Sequence, residues 1–128
     1  MSRRIILTAS LFGAIAVMFG AFGAHSLKNV LSSGSLEIWA KGVEYQFYHT
    51  LALLFLSQLA VGNEKLVKWS YIFFTLGIVL FSGSLYLLAT RDILNIGFVN
   101  YIGPITPIGG LCFILGWASL FVSALKGK

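Results

Sequence analysis

Glu44-Tyr45-Gln46-Phe47-Tyr48-His49 stands at the head of an apolar run, Val43 to Val61, that is long enough to cross a bilayer. A carboxylate, an amide and an imidazole this close to hydrocarbon are costly unless other protein groups meet them. The run therefore predicts a membrane helix with polar groups turned inward, and further helices to enclose them. Trp39, Gly42, Gln46, His49 and Leu53 step by three or four and share a face. Glu44 lies five residues before His49, about 140° away around a helix of 3.6 residues per turn. That angle argues against a catalytic Glu–His pair on this helix. Glu44 is nearer to Lys41, three residues back.

The rest of the chain has the same character. Of its 128 residues 58% are hydrophobic and only 10% charged, against roughly 25% charged in ordinary soluble domains. Mean hydropathy is +0.90. A soluble chain of this size has too little interior to hide so much apolar surface, whereas a bilayer removes the need. The net charge of +5 comes from basic residues between the apolar runs and at the ends. They read as topology determinants and give no nucleic-acid patch. The single cysteine, Cys112, lies within an apolar run and can form no internal disulfide.

Four spans are expected, at about 5–24, 43–61, 69–90 and 108–125. The first follows Arg3 and Arg4, and its apolar stretch exceeds the roughly 7–15 residues of a signal peptide. Ala9, Gly13, Ala16, Gly20 and Ala24 form a small-residue stripe on it. Ser35 is expected to cap the second helix near Leu36, with Glu37 in its first turn and Trp39 at headgroup level. Asn63-Glu64-Lys65 reads as a tight turn. The third span carries Ser82-Gly83-Ser84 and Tyr86, with Gly83 read as a site of close packing and Arg91–Asp92 as a pair at its end. Ile93 to Ile105 is too short to span and reads as interfacial or re-entrant. Thr106 as N-cap and Pro107 at the first helical position open the fourth span. Gly109, Cys112, Gly116, Ser119 and Ser123 give it a small-residue stripe of its own. The two striped helices, first and last, are expected to use these faces for close packing.

Four spans put both termini on one side. That side carries Arg3, Arg4, Lys65, Lys68, Lys126 and Lys128, against Lys28, Lys41 and Arg91 on the other, so the termini are expected in the cytoplasm. The same topology gathers the unusual polar residues toward the outer face. His49 and Ser84 each lie six residues inside their outer helix ends, roughly 9 Å deep at 1.5 Å per residue. His25, Glu44, Gln46, His49, Ser82, Ser84, Tyr86 and Thr106 are the candidate polar cluster. The inner halves are expected to be plain apolar packing.

Gly20-Ala21-Phe22-Gly23-Ala24-His25, Tyr45-Gln46 with His49, Phe81-Ser82-Gly83-Ser84-Leu85-Tyr86 and Thr106-Pro107-Ile108-Gly109-Gly110 occur in this order. In these four motifs the chain resembles the small four-span membrane proteins of the YgdD/YwdK type, a domain-of-unknown-function family with mitochondrial relatives. The resemblance covers nearly the whole chain. It implies an inner-membrane location and four transmembrane helices, and it brings no activity, cofactor or catalytic residue.

For function, the residues themselves support a non-enzymatic accessory or scaffold subunit acting through helix contacts, with a membrane-protein partner or further copies of itself. The alternative is a small oligomeric transporter or channel for a proton, ion or solute, with His49 as its titratable group. A lipid- or quinone-directed enzyme is a third reading, for which no nucleophile is evident. Two histidines far apart and a lone boundary carboxylate give no metal-ligand spacing, and no cofactor motif is present.

Overall fold

The computed structural model describes residues 2–95 and 99–127. These are helical, with no strand among them: α1 Ser2–His25, α2 Ser33–Gln58, α3 Glu64–Gly77, α4 Gly83–Ala89, α5 Arg91–Leu94, α6 Val99–Ile102 and α7 Ile105–Lys126. A short 3-10 turn, Leu27–Asn29, joins α1 to α2. A π-helical turn, Ile78–Ser82, joins α3 to α4 without a break, so that 64–89 is one rod. Three of the helices, Ser2–His25, Glu64–Ala89 and Ile105–Lys126, are long and apolar enough to cross a membrane. The fourth long helix, α2, is more polar because it carries Glu37, Lys41, Glu44, Gln46 and His49.

Several helix ends differ from the sequence reading. Ser32, not Ser35, caps α2: its hydroxyl accepts from the Ser35 amide at 3.1 Å, and Glu37 falls beyond the first turn. Asn63 does more than turn the chain, since its side chain accepts from the Leu66 amide and caps α3. Helix α7 starts at Ile105 after Pro104, so Thr106 lies inside it and is free to bond elsewhere. The Ile93–Ile105 connection contains the end of α5 and all of α6; its residues 96–98 lie outside the described set. Arg91 donates to the Leu88 carbonyl at 2.8 Å, and no ion pair joins it to Asp92.

Helix α1 packs antiparallel on α2, and α3 packs antiparallel on α7. The two pairs meet where α2 crosses the π turn and α4. The small-residue stripes therefore face different neighbours. On α1, Gly13 and Gly20 lie beside Thr50 and Val43 of α2, and the stripe continues through buried Gly23 while Ala24 is exposed. On α7, Gly109 and Gly116 receive Phe81 and Phe74. Gly77 returns the favour by receiving Phe113. The register is that of two rods pressed together, glycine against aromatic, at Phe74–Gly116, Gly77–Phe113 and Phe81–Gly109. Gly83 has open space around its Cα, so close packing there is not its role.

The interior consists of two apolar clusters. One unites Ile5, Ala9, Leu53, Leu56, Phe74, Ile78 and Phe113 across all four long helices. The other, at the opposite end, unites Leu27, Trp39 and Ala89. Large apolar side chains such as Leu7, Leu11, Met18, Leu51, Phe55, Ile114 and Phe121 are exposed on the outside, while serines, Gln46 and His49 are buried. An apolar exterior around a partly polar interior is the reverse of a soluble domain and suits a lipid environment.

At Gly109 an added Cβ would lie 2.7 Å from the Phe81 Cα, backbone that cannot rotate away. Gly109→Ala is therefore expected to destabilise the protein in detergent micelles by about 1–3 kcal/mol. Gly83→Ala should be neutral or stabilising by roughly 0.5–1 kcal/mol. Thermal or denaturant unfolding of the two variants beside wild type checks both.

Candidate functional site

Gln46 is the centre of the polar groups. Its position on α2 turns the side chain between α1 and α4, where it is 2% exposed. Its amide nitrogen donates to the Phe12 carbonyl of α1 at 2.8 Å, and its amide oxygen accepts from the Tyr86 hydroxyl of α4 at 2.6 Å. Both ends of the amide are thus used across helices, which fixes which end is oxygen. Two turns of α2 away, Trp39 donates from its indole nitrogen to the Phe19 carbonyl at 2.8 Å. Trp39, expected at headgroup level, is buried within the protein, with its ring 4.8 Å from Tyr86 and 5.2 Å from Phe19. Phe19 meets Tyr86 edge to face at 4.8 Å.

Gly42 lets α4 approach. A Cβ there would meet the Tyr86 ring at 2.7 Å, and the Gly42 carbonyl accepts from the Ser82 hydroxyl at 2.7 Å. Ser82 and Tyr86, four apart, both address α2. Ser84 points to α7 instead. It donates to the Phe81 carbonyl at 2.8 Å and so accepts from the Thr106 hydroxyl at 2.6 Å. Thr106 is thus an interhelical donor and not the expected cap.

His49 belongs to a separate group. Its Nδ1 bonds the Tyr45 carbonyl at 2.8 Å, and its Nε2 lies 3.0 Å from the Trp117 indole nitrogen. A carbonyl only accepts and an indole N–H only donates, so Nδ1 carries the proton and Nε2 the lone pair. The imidazole stacks on Phe113 at 3.6 Å with planes 8° apart. It borders a groove of about 630 Å³ lined by Tyr45, Phe81, Gly110, Phe113, Ile114 and Trp117.

The eight candidate residues do not make one cluster. Gln46 and Tyr86 bond each other; Ser82 binds Gly42; Ser84 and Thr106 pair; His49 joins Trp117. Glu44 stays at the surface with Lys41 at 3.3 Å and the Tyr48 hydroxyl at 3.3 Å. His25 is exposed at the end of α1. Nor is polarity confined to one layer. In the other half Ser70 donates to the Gly116 carbonyl at 2.9 Å, and Thr8 bonds the Tyr71 hydroxyl at 2.8 Å. Ser123 donates to the Asn63 carbonyl at 3.0 Å. The inner halves are therefore not plain apolar packing: a serine or threonine is content wherever a neighbouring carbonyl is in reach. Thr50 is the exception, since its buried hydroxyl oxygen has no partner among the described residues. Sequence reasoning missed Trp117, whose signal was an indole N–H inside an apolar run, a donor that needs an acceptor when buried. Among the described residues no three of His, Cys, Asp or Glu gather as metal ligands would.

Comparison with known proteins places these motifs in a wider group. Residues 19–110 match the family model described as "Protein of unknown function (DUF423)". A UPF0382 membrane protein of Staphylococcus haemolyticus is 41% identical over 97% of both chains. One from Staphylococcus saprophyticus is 43% identical over 94% of this chain and 96% of its own. The UPF0382 inner membrane protein YgdD of Escherichia coli K12 is 40% identical over 99% of this chain and 93% of its own. No solved structure matches.

Two outcomes are expected from the bonding just described. Tyr86→Phe should cost about 1 kcal/mol, the scale of an interhelical hydrogen bond in a membrane. In a double-mutant cycle with Gln46→Leu, read by unfolding in micelles, the two changes should be non-additive. In 1H–15N spectra, His49→Leu should move the indole resonance of Trp117 while that of Trp39, bonded to a carbonyl elsewhere, stays in place.

Proposed function

Since this chain belongs to the DUF423 family of membrane proteins, we propose that it works as a non-enzymatic scaffold or accessory subunit, a four-span bundle that acts through its helix surfaces. One observation carries the reading. The polar side chains that would do chemistry, Gln46, His49, Ser82, Ser84, Tyr86 and Thr106, are engaged in bonds that hold helices together. Between the charged helix ends the exposed large side chains, such as Leu7, Leu11, Leu51, Phe55 and Ile114, are apolar and available for contact with lipid or with other spans.

The fourth span in this reading is α2. Its composition is the most polar, yet Gln46, His49 and Thr50 point inward, and the outward side chains Leu51, Leu54 and Phe55 are apolar. The cytoplasmic placement of both termini rests on the excess of basic residues at that end, Arg3, Arg4, Lys65, Lys68, Lys126 and Lys128. A second reading, an oligomeric transporter or channel for a proton, ion or small solute, has one observation in its favour: His49 lines the groove between α2 and α7.

A green fluorescent protein fused after Lys128 should fluoresce, and alkaline phosphatase fused there should stay inactive, if the termini are cytoplasmic. Gentle affinity isolation from native membranes, read by mass spectrometry of intact complexes, should return a stoichiometric membrane-protein partner. A self-oligomer alone would move the transporter reading ahead, with flux in liposomes and its loss in His49→Ala as the next assay. A solitary monomer would sink the scaffold reading.

A further inference from the structure

A second groove lies between α1 and α2 at the end opposite the chain termini. Its volume is about 440 Å³, within the roughly 300–1,000 Å³ of small-molecule sites. Gly20, Gly23 and Ala24 of α1 form one side, and Leu36, Trp39, Ala40 and Val43 of α2 the other. No α1 side chain lining it is larger than a methyl group, and Gly20 and Gly23 sit against Val43 and Trp39. The trough is apolar, while its rim is charged: Lys28, exposed in the 3-10 turn, and Glu44 both line it.

The two rim charges are not equivalent. Glu44 is occupied by Lys41 at 3.3 Å and by the Tyr48 hydroxyl at 3.3 Å. That is the one ion pair among the described residues, so Lys28 has no carboxylate of the protein beside it. The rim therefore presents an uncompensated ammonium above an apolar trough. An ammonium at the lipid–water boundary attracts phosphate, and a trough of glycine, alanine, valine and an indole face accepts hydrocarbon. A free phosphate would use the first feature alone, and an uncharged lipid only the second.

We propose that this groove is a binding site for one anionic phospholipid, with an acyl chain along Gly20, Gly23, Ala40 and Val43 and the phosphodiester at Lys28. The site depends on α1 and α2 spanning the bilayer, as in the reading above, and on no protein partner. Its occupant covers the small-residue stretch of the α1–α2 pair, Gly20, Gly23 and Ala24 opposite Ala40. The head group is held at the turn joining the two helices.

The test is titration of the full-length protein in detergent, followed by native mass spectrometry. The probes are palmitoyl-oleoyl phosphatidylglycerol and, with the same chains, phosphatidylcholine. Wild type is expected to retain one phosphatidylglycerol in preference to phosphatidylcholine. Lys28→Gln should weaken phosphatidylglycerol about fivefold, the worth of one basic residue at a charged membrane surface, and leave phosphatidylcholine unchanged. Ala40→Phe, at an exposed position where a larger side chain fills the trough without entering the core, should weaken both lipids. Lys126→Gln, at the other end of the molecule, should change neither. Equal retention of the two lipids by wild type would overturn the site, as would an equal loss of phosphatidylglycerol in Lys126→Gln and Lys28→Gln. A dimer that forms without lipid and is abolished by Ala40→Phe would assign the groove to a second copy and overturn it too. Failure of the spanning arrangement is read separately, as thiol reagents reaching cysteines introduced at both ends of α1 from the same side of sealed vesicles.

Discussion

A polar hydrogen surrounded by hydrocarbon has only other protein atoms to bond to, and the most abundant acceptor within reach is the carbonyl of a neighbouring helix. Four cross-helix bonds in this protein follow that rule: Trp39 to Phe19, Gln46 to Phe12, Ser82 to Gly42 and Ser70 to Gly116. Each carbonyl already accepts within its own helix and uses its second lone pair for the neighbour. Reaching a carbonyl through the side chains that surround a helix requires close approach. Two of the four acceptors belong to glycines, and at both of them an aromatic ring, Tyr86 or Phe74, packs against the same residue. Hydrogen bonding and close packing are therefore one device here, applied at both ends of the bundle.

The rod 64–89 serves two partners at once, and the π turn lies at the changeover. Below it Ser70, Phe74 and Gly77 address α7; at and above it Ser82 and Tyr86 address α2 while Phe81 and Ser84 keep the contact with α7. The Gly83 amide reaches back five residues to the Ile78 carbonyl, the wider winding of a π turn. Phe81, in the middle of this turn, presents backbone to Gly109. A local rearrangement of winding lets one helix keep register with two neighbours that cross it at different heights.

Much of this was readable from the chain alone. The all-helical, membrane-suited character follows from composition and run lengths. That Ser82 and Tyr86 would face one neighbour, and that Glu44 would turn away from His49, follows from the helical repeat. The acceptors were not readable, because every residue carries a carbonyl and nothing in sequence marks the ones that a neighbour will use. Trp39 shows the limit: its place near a helix end suggests the interface, and only the location of Phe19 and Tyr86 reveals that it is walled in. The glycine stripes were visible as patterns, but their partners depend on which rods lie side by side. Thr106 was misread because a threonine before a proline makes a good cap, whereas Pro104 had already started the helix and Ser84 was waiting across the gap.

The turn between α2 and α3 is fastened to the far end of the chain. Gly62, with φ of 102°, leaves room for Ser123, whose carbonyl accepts from the Asn63 amide while its hydroxyl donates to the Asn63 carbonyl. The consequence lies in biogenesis. The α1–α2 hairpin makes its Trp39 and Gln46 bonds to α1 within the first part of the nascent chain, but His49 of α2 stays without Trp117 until α7 follows. Ser70 of α3 likewise waits for a carbonyl 46 residues downstream. Until α7 arrives, the hydroxyl of Ser70 and the faces of Phe74 and Gly77 are presented to lipid. A chain cut short before α7 would leave His49 without Trp117 and Ser70 without Gly116, so one missing helix unpairs polar groups on two others.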